Sequence, residues 1–284
     1  MHLGMSSYSF AAKIAAGDLD VLGVIDWIAE SPAEHLELAT VGLGADLVAE
    51  PDLVDAIRAR AKERNVALVS YCVEGNFRDP DPAAQIARVK AQLDVAHRLG
   101  IPRLRHDVVE WAWREKDQAE LEQTYEAIVP ACQEIADYAG TLGISTCVEN
   151  HGFCINNSER VRRLVYAVDR PNFGTALDIG NFLCVDEQPI SGVAADIPYA
   201  TIVHVKDFYV RQANPGSGWL KTLNGNYLRG SIVGFGDLDI PRILGIIKAS
   251  GYDGPMSIEF EGAEDALAAA EIAIDNVQRI WAAI

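Results

Sequence analysis

Eight short runs rich in apolar and β-branched residues alternate with longer amphipathic stretches along the chain. The runs are Leu3–Ser9, His35–Ala39, Val66–Val73, Arg103–Asp107, Ser145–Asn150, Gly174–Asp178, Thr201–Lys206 and Met256–Phe260. Between them lie Leu19–Glu30, Asp52–Arg64, Ala83–Leu99, Gln118–Leu142, Ser158–Val168, a short stretch near Ile190–Ile197, and Ile240–Ser250, with Ala263–Ala283 as a closing helix. Strands joined through helices pair in parallel, because each return needs a crossover. Eight such units most simply close into a (β/α)8 barrel, and 284 residues suit the roughly 250 that this architecture needs. The expectation is an α/β chain with one TIM barrel domain over residues 1–284. An open doubly wound sheet is the alternative, weakened by the lack of a Gly-x-Gly-x-x-Gly turn after the first strand. Asn65, Gly100, Gly143 and Gly251 stand where helices should stop, since these residue types tolerate positive φ. Residues 207–236 read as one long irregular loop after the seventh strand, on the face where barrel active sites lie.

Charge narrows the partners. The chain carries 24 Lys+Arg against 41 Asp+Glu, a formal charge of −17. That balance disfavours nucleic acid and anionic membrane surfaces, and leaves a small molecule as the expected partner. No apolar run approaches the roughly 20 residues that span a bilayer, and Met1–Phe10 reads as a first strand rather than a leader. The five cysteines, Cys72, Cys132, Cys147, Cys154 and Cys184, are scattered and lack Cys-x-x-Cys spacing, which suits reduced thiols in a cytoplasmic protein. A homo-oligomer is left open.

Chemistry concentrates at the ends of the last four strands. These carry Val148-Glu149-Asn150-His151-Gly152, Leu177-Asp178-Ile179-Gly180-Asn181, Val203-His204-Val205-Lys206-Asp207 and Ser257-Ile258-Glu259-Phe260-Glu261. A charged group at the end of an apolar strand is costly unless paired or metal-bound. Taken singly, Glu149 or Asp178 reads as a helix cap or ion-pair partner, and His204 as a hydrogen-bonded core histidine. On consecutive strands, two Glu, one Asp and one His describe an oxygen-rich site for one divalent metal ion, Mn2+ foremost, with Mg2+, Co2+ or Zn2+ as alternatives. Glu261 shares a strand face with Glu259 and competes for its role.

These segments, with Gly234-Phe235-Gly236-Asp237 and Gly251-Tyr252-Asp253-Gly254, resemble the sugar phosphate isomerase/epimerase family, the xylose isomerase-like TIM barrel superfamily. The resemblance runs through the whole chain and is strongest over residues 144–262. It implies Glu149, Asp178, His204 and Glu259 as metal ligands. In the epimerase branch it further implies Glu149 and Glu259 as the catalytic pair that moves a proton at the carbon beside a carbonyl, through an enediolate. A metal that polarises the carbonyl acidifies that C–H bond. Ketose 3-epimerases carry a His three residues after the Asp; here that position is Asn181, which counts against a free ketohexose. His151 is placed to supply an imidazole instead, or to serve as a loop histidine.

Substrate-binding candidates are His106, His151, Asn181, Lys206 and Arg211. Lys206, Arg211, Lys221 and Arg229 together could hold a phosphate or carboxylate, or form a solvated charged loop. Glu37 could reach the pocket or anchor its neighbours, and Trp111, Trp113, Trp219 and Phe208 could stack on a sugar or pack a lid. The expected activity is a metal-dependent sugar or sugar phosphate isomerase/epimerase. A lyase on a keto-sugar, by C-glycoside cleavage or dehydration, is the alternative, and a non-catalytic carbohydrate-binding barrel is the second.

Overall fold

In the computed structural model, which describes residues 1–284, eleven strands follow in chain order. They are β1 (His2–Ser6), β2 (His35–Ala39), β3 (Ala67–Val73), β4 (Arg103–His106), β5 (Ser145–Glu149), β6 (Phe173–Asp178), β7 (Ala200–Val205), β8 (Asp207–Arg211), β9 (Leu220–Lys221), β10 (Tyr227–Ser231) and β11 (Pro255–Ile258). Eight of them close into a barrel in the order β1-β11-β7-β6-β5-β4-β3-β2, every pair parallel. Around it lie α1 (Ala11–Ala15), α2 (Val21–Glu30), α3 (Pro51–Glu63), α4 (Pro82–Leu99), α5 (Gln118–Thr141), α6 (Ser158–Val168), α7 (Pro189–Asp196), α8 (Ile240–Ala249) and α9 (Ala266–Ala283). The expected (β/α)8 barrel is therefore the fold. No helix is long and apolar enough to cross a membrane, and all five cysteines are free and buried.

One crossover shows how the sequence builds the unit. Asp81 starts α4 by accepting from the Ala84 amide, and Pro82 fits the first turn because its missing N–H has no helical partner anyway. Val89, Leu93, Ala96 and Leu99 recur on one face and are buried against the barrel. Gly100 ends the helix at φ +76°, a conformation that would strain any residue with a Cβ. Asn65 and Gly143 also have positive φ at the ends of their helices. The resulting core is one contiguous cluster of 65 buried residues between strands and helices, which is why no boundary divides the barrel.

Two segments differ from the expectation. The first strand ends at Ser6, not Ser9, because the Ser6 hydroxyl accepts from the Tyr8 amide and turns the chain into a short 3-10 helix, Ser7–Phe10. Residues 207–236 are not a long irregular loop. They form an antiparallel sheet, β8-β10-β9, with Asp207 opposite Ser231 and Arg211 opposite Tyr227.

Alternation along the strands layers the barrel interior. Cys147, Ala176 and Ile202 form a buried apolar plug, with Val69 against it. Two residues further along the same three strands come Glu149, Asp178 and His204, so the plug is the floor of the site.

Candidate metal centre and substrate cavity

Glu149, Asp178, His204 and Glu259 each contribute a donor atom to one group, and these atoms all lie within 4.8 Å of one another. Glu149 and Asp178 end β5 and β6, His204 is the last residue but one of β7, and Glu259 directly follows β11. Asp178 is fixed by its own turn: Oδ1 accepts from the Gly180 and Asn181 amides at 2.7 and 3.0 Å. Oδ2 is buried and makes no well-formed hydrogen bond, with Lys206 Nζ 3.2 Å away, and both ring nitrogens of His204 are buried without one. Of the two, Nε2 lies 2.8 Å from Glu37 Oε1. With an ion bound, that carboxylate would keep the ring proton on Nε2 and leave the Nδ1 lone pair to the ion, as an outer-shell carboxylate does for a ligating histidine. Three carboxylates and an imidazole converging at one buried point fit a divalent cation, because Lys206 and Arg105 offset the charge of the carboxylates only in part.

Two buried cations flank the group. Lys206 Nζ is 2.7 Å from Glu259 Oε2, 2.9 Å from Glu261 Oε1 and 3.2 Å from Asp178 Oδ2. Arg105 Nη2 is 2.6 Å from Glu149 Oε2 and 2.9 Å from Asp107 Oδ1. Asn181 Nδ2 donates to Glu149 Oε1 at 2.9 Å. Burial works to raise every carboxyl here, and the neighbours decide the outcome. Arg105 and His204 outweigh burial at Glu149 and hold it well below the usual carboxylate range. Lys206 and His204 outweigh burial at Glu259 too and lower it. At Asp178 burial wins over Lys206 and pushes the carboxyl up to about 6. Burial lowers His204, but Glu37 and Glu149 raise it well above the ordinary histidine range.

A cavity of about 630 Å³ opens above the group. Glu149, His204, Glu259, Lys206, Asn181 and His151 all line it. His151 Nδ1 lies 2.9 Å from Asp107 Oδ1, and Asp107 raises its pKa against the effect of burial. Two candidates lie elsewhere. His106 is fully buried on the helix side of β4, against Phe77 and Phe173, with its pKa lowered by burial to about 4. Arg211 is exposed on β8 and held by Asp237 at 3.0 Å. Of the aromatics, Trp111 and Phe208 line the cavity. Trp113 instead lies under the Arg78 guanidinium, and Trp219 is near Arg211. The sequence reading missed Arg105 and Asp107. Alternation on β4 was the available signal: Leu104 belongs to the outer core, so Arg105 must point inward and His106 outward.

Residues 25–280 match the family described as Xylose isomerase-like TIM barrel. Among solved structures, D-psicose 3-epimerase from Clostridium cellulolyticum H10, crystallised with D-tagatose, superposes with a TM-score of 0.74 at 16% identity, covering 99% of each chain. A xylose isomerase-like TIM barrel protein from Mycobacterium smegmatis in complex with magnesium gives 0.73 at 16% identity, covering 99% of this chain and 97% of that one. The probable 3-DHS dehydratase AsbF from Bacillus anthracis gives 0.74 at 14% identity, covering 97% and 99%. No curated protein matches in sequence. At these identities the structural likeness carries the fold alone.

Proposed function

Given that the chain belongs to the xylose isomerase-like TIM barrel family, we propose that it is a metal-dependent isomerase or epimerase that moves a proton at a carbon next to a sugar carbonyl. The observation that carries this is the convergence of Glu149, Asp178, His204 and Glu259, whose donor atoms all lie within 4.8 Å of one another. These four side chains would hold one divalent ion, Mn2+ foremost. When bound, it would polarise the substrate carbonyl and acidify the neighbouring C–H. Glu149 and Glu259 are the bases within reach of that carbon. Asn181, whose amide gives one N–H to Glu149, keeps a second on the cavity wall for a substrate oxygen. Both glutamates are held ionised, so each can accept a proton but binds it weakly. The reading therefore requires a strongly acidified substrate.

The test is exchange of substrate C–H with solvent deuterium across a set of keto-sugars, in the parent and in Glu149→Gln and Glu259→Gln. The glutamine variants keep the side-chain shape and lose the base. Exchange at the parent rate in both would remove the two glutamates from the chemistry. A second reading, a lyase on a keto-sugar, is favoured by one feature: the His151–Asp107 pair puts an imidazole on the cavity wall, apart from the four-residue group. Elimination needs such an acid to protonate a leaving group. Release of a leaving group in place of the epimer would decide for it.

A further inference from the structure

Proteins hold phosphate with free guanidinium or ammonium groups, helix N-termini and backbone N–H nests. In (β/α)8 barrels the site frequently lies in the loops after the seventh and eighth strands, beside a helix N-terminus. Here the cations of the cavity wall and the helix N-terminus after the eighth barrel strand are already committed. Of the three Lys or Arg side chains on the cavity wall, Lys206 contacts Asp178, Glu259 and Glu261, and Arg105 contacts Glu149 and Asp107. The third, Arg88, donates to the Glu74 carbonyl at 2.8 Å and to Gln85. After the eighth barrel strand the chain reads Phe260-Glu261-Gly262-Ala263-Glu264-Asp265. Asp265 closes the N-terminus of α9, its carboxylate accepting from the Leu267 and Ala268 amides. A phosphate arriving there would meet three carboxylates. Arg211, Lys221 and Arg229 all lie outside the cavity wall, which carries seven carboxylates against its three cations. One divalent ion offsets only part of that excess, and repulsion of a dianion is strong in a partly dry site.

The cavity is also larger than one sugar ring requires. Its volume of about 630 Å³ lies within the roughly 300–1,000 Å³ of pockets that enclose drug-sized ligands. The four-residue metal group, with Lys206 and Asn181, forms one end. The other is made by the loops after β3 and β4, with Glu74, Asn76, Glu110 and the partly exposed Trp111. Phe153 packs against the Trp111 ring at 5.0 Å and 61°, which fixes an indole on the cavity wall where a sugar ring could stack. The surrounding carboxylates and amides suit hydroxyl donors.

We infer that the site takes an uncharged keto-sugar bearing a second unit, a glycoside, and not a sugar phosphate. The keto-sugar end rests on the isomerase reading above; the second unit lies along Trp111 and the loops after β3 and β4.

The experiment uses the full chain loaded with Mn2+ and calorimetric titration with three probes: D-fructose, its O6-glucosylated form isomaltulose, and D-fructose 6-phosphate. The last two differ only in what O6 carries. Isomaltulose is expected to bind about tenfold tighter than fructose and at least about tenfold tighter than the phosphate. Trp111→Ala should reduce the advantage over fructose to about threefold or less. The inference is overturned by fructose 6-phosphate binding as tightly as isomaltulose, by isomaltulose binding no tighter than fructose, or by no measurable binding of isomaltulose. Solvent-deuterium exchange on the same three probes separates the two proposals. Tight isomaltulose binding with no exchange in any probe removes the isomerase reading and leaves this inference standing. Exchange in the phosphate with isomaltulose inert does the reverse.

Discussion

Glu37 is wholly buried beneath the four-residue group, and its Oε1 lies 2.8 Å from His204 Nε2. It does not line the cavity, so its influence on a bound ion must pass through the imidazole. Glu37→Gln keeps the shape but weakens the pull on the ring proton. Affinity for Mn2+ should fall about 10- to 100-fold, as for other outer-shell partners of ligating histidines; calorimetry that gives the parent affinity would mean that Glu37 does not orient His204. The same residues set a pH dependence. Without an ion, Glu37 and Glu149 overcome burial and keep His204 protonated well above its ordinary range, while burial takes Asp178 up to about 6. Both shifts are upward, so both groups hold protons at low pH and release them as pH rises. An ion must displace those protons, so its affinity should rise with pH, by up to about tenfold per pH unit for each proton displaced: from both groups below about pH 6, and from His204 alone above it. Titrations in two buffers of different ionisation enthalpy would count the protons, and an affinity flat between about pH 6 and 8 would contradict the assignment. The four ligand candidates were legible because each stands at or beside the end of an apolar strand. His106 was ambiguous because Arg103-Leu104-Arg105-His106 has one apolar residue to fix its phase, and Leu104 places His106 on the outer face.

At the scale of elements, the sheet β8-β10-β9 borders the cavity through Phe208 and Leu220. Its far end is tied to the turn after β6 by the Leu223 amide, which donates to the Cys184 carbonyl at 3.1 Å, and by the side chain of Asp186. Asp186 accepts from Thr222 Oγ1 at 2.8 Å, the Asn224 amide at 2.7 Å and Asn226 Nδ2 at 2.8 Å. Asp186→Ala removes all three bonds at once. Hydrogen bonds to a charged acceptor contribute about 1.5–3 kcal/mol each, less where partly exposed. The sheet should open locally well before the barrel does. Hydrogen exchange of residues 220–228 should quicken several-fold while β4–β7 stay protected; equal protection in the variant would show that other contacts hold the sheet. This sheet was the part of the fold the sequence concealed. Gly216, Gly218, Gly225, Gly230, Gly234 and Gly236 break any hydrophobic period, and β9 is only two residues long. The barrel strands were visible because buried parallel strands read as continuous apolar runs, and their helices because Gly100, Gly143 and Asn65 mark the stops.

For the whole molecule, the stability of the barrel and the occupancy of its site are linked. Glu149, Asp178 and Glu259 converge where the strands must close, and Lys206 and Arg105 neutralise them only in part. The raised pKa of Asp178 records the remaining cost, which falls on the folded state alone, because the unfolded chain leaves these groups in water. An ion that binds only the folded chain must therefore raise its stability, by about 2.7 kcal/mol at one hundred times its dissociation constant. For a barrel of this size each kcal/mol moves the melting temperature by roughly 2–4 °C. Saturating Mn2+ should thus raise it by roughly 5–10 °C over protein stripped with a chelator. Magnesium should give a shift of the same sign. Asp178→Asn removes one ligand charge and should abolish most of the metal-induced shift, whatever its own melting temperature in the absence of metal. Calcium and manganese also bind exposed carboxylates, of which a chain with 41 acidic residues has many. The variant is therefore the deciding control: a shift that survives Asp178→Asn in full belongs to the surface, and the four-residue site would lose its claim to the ion.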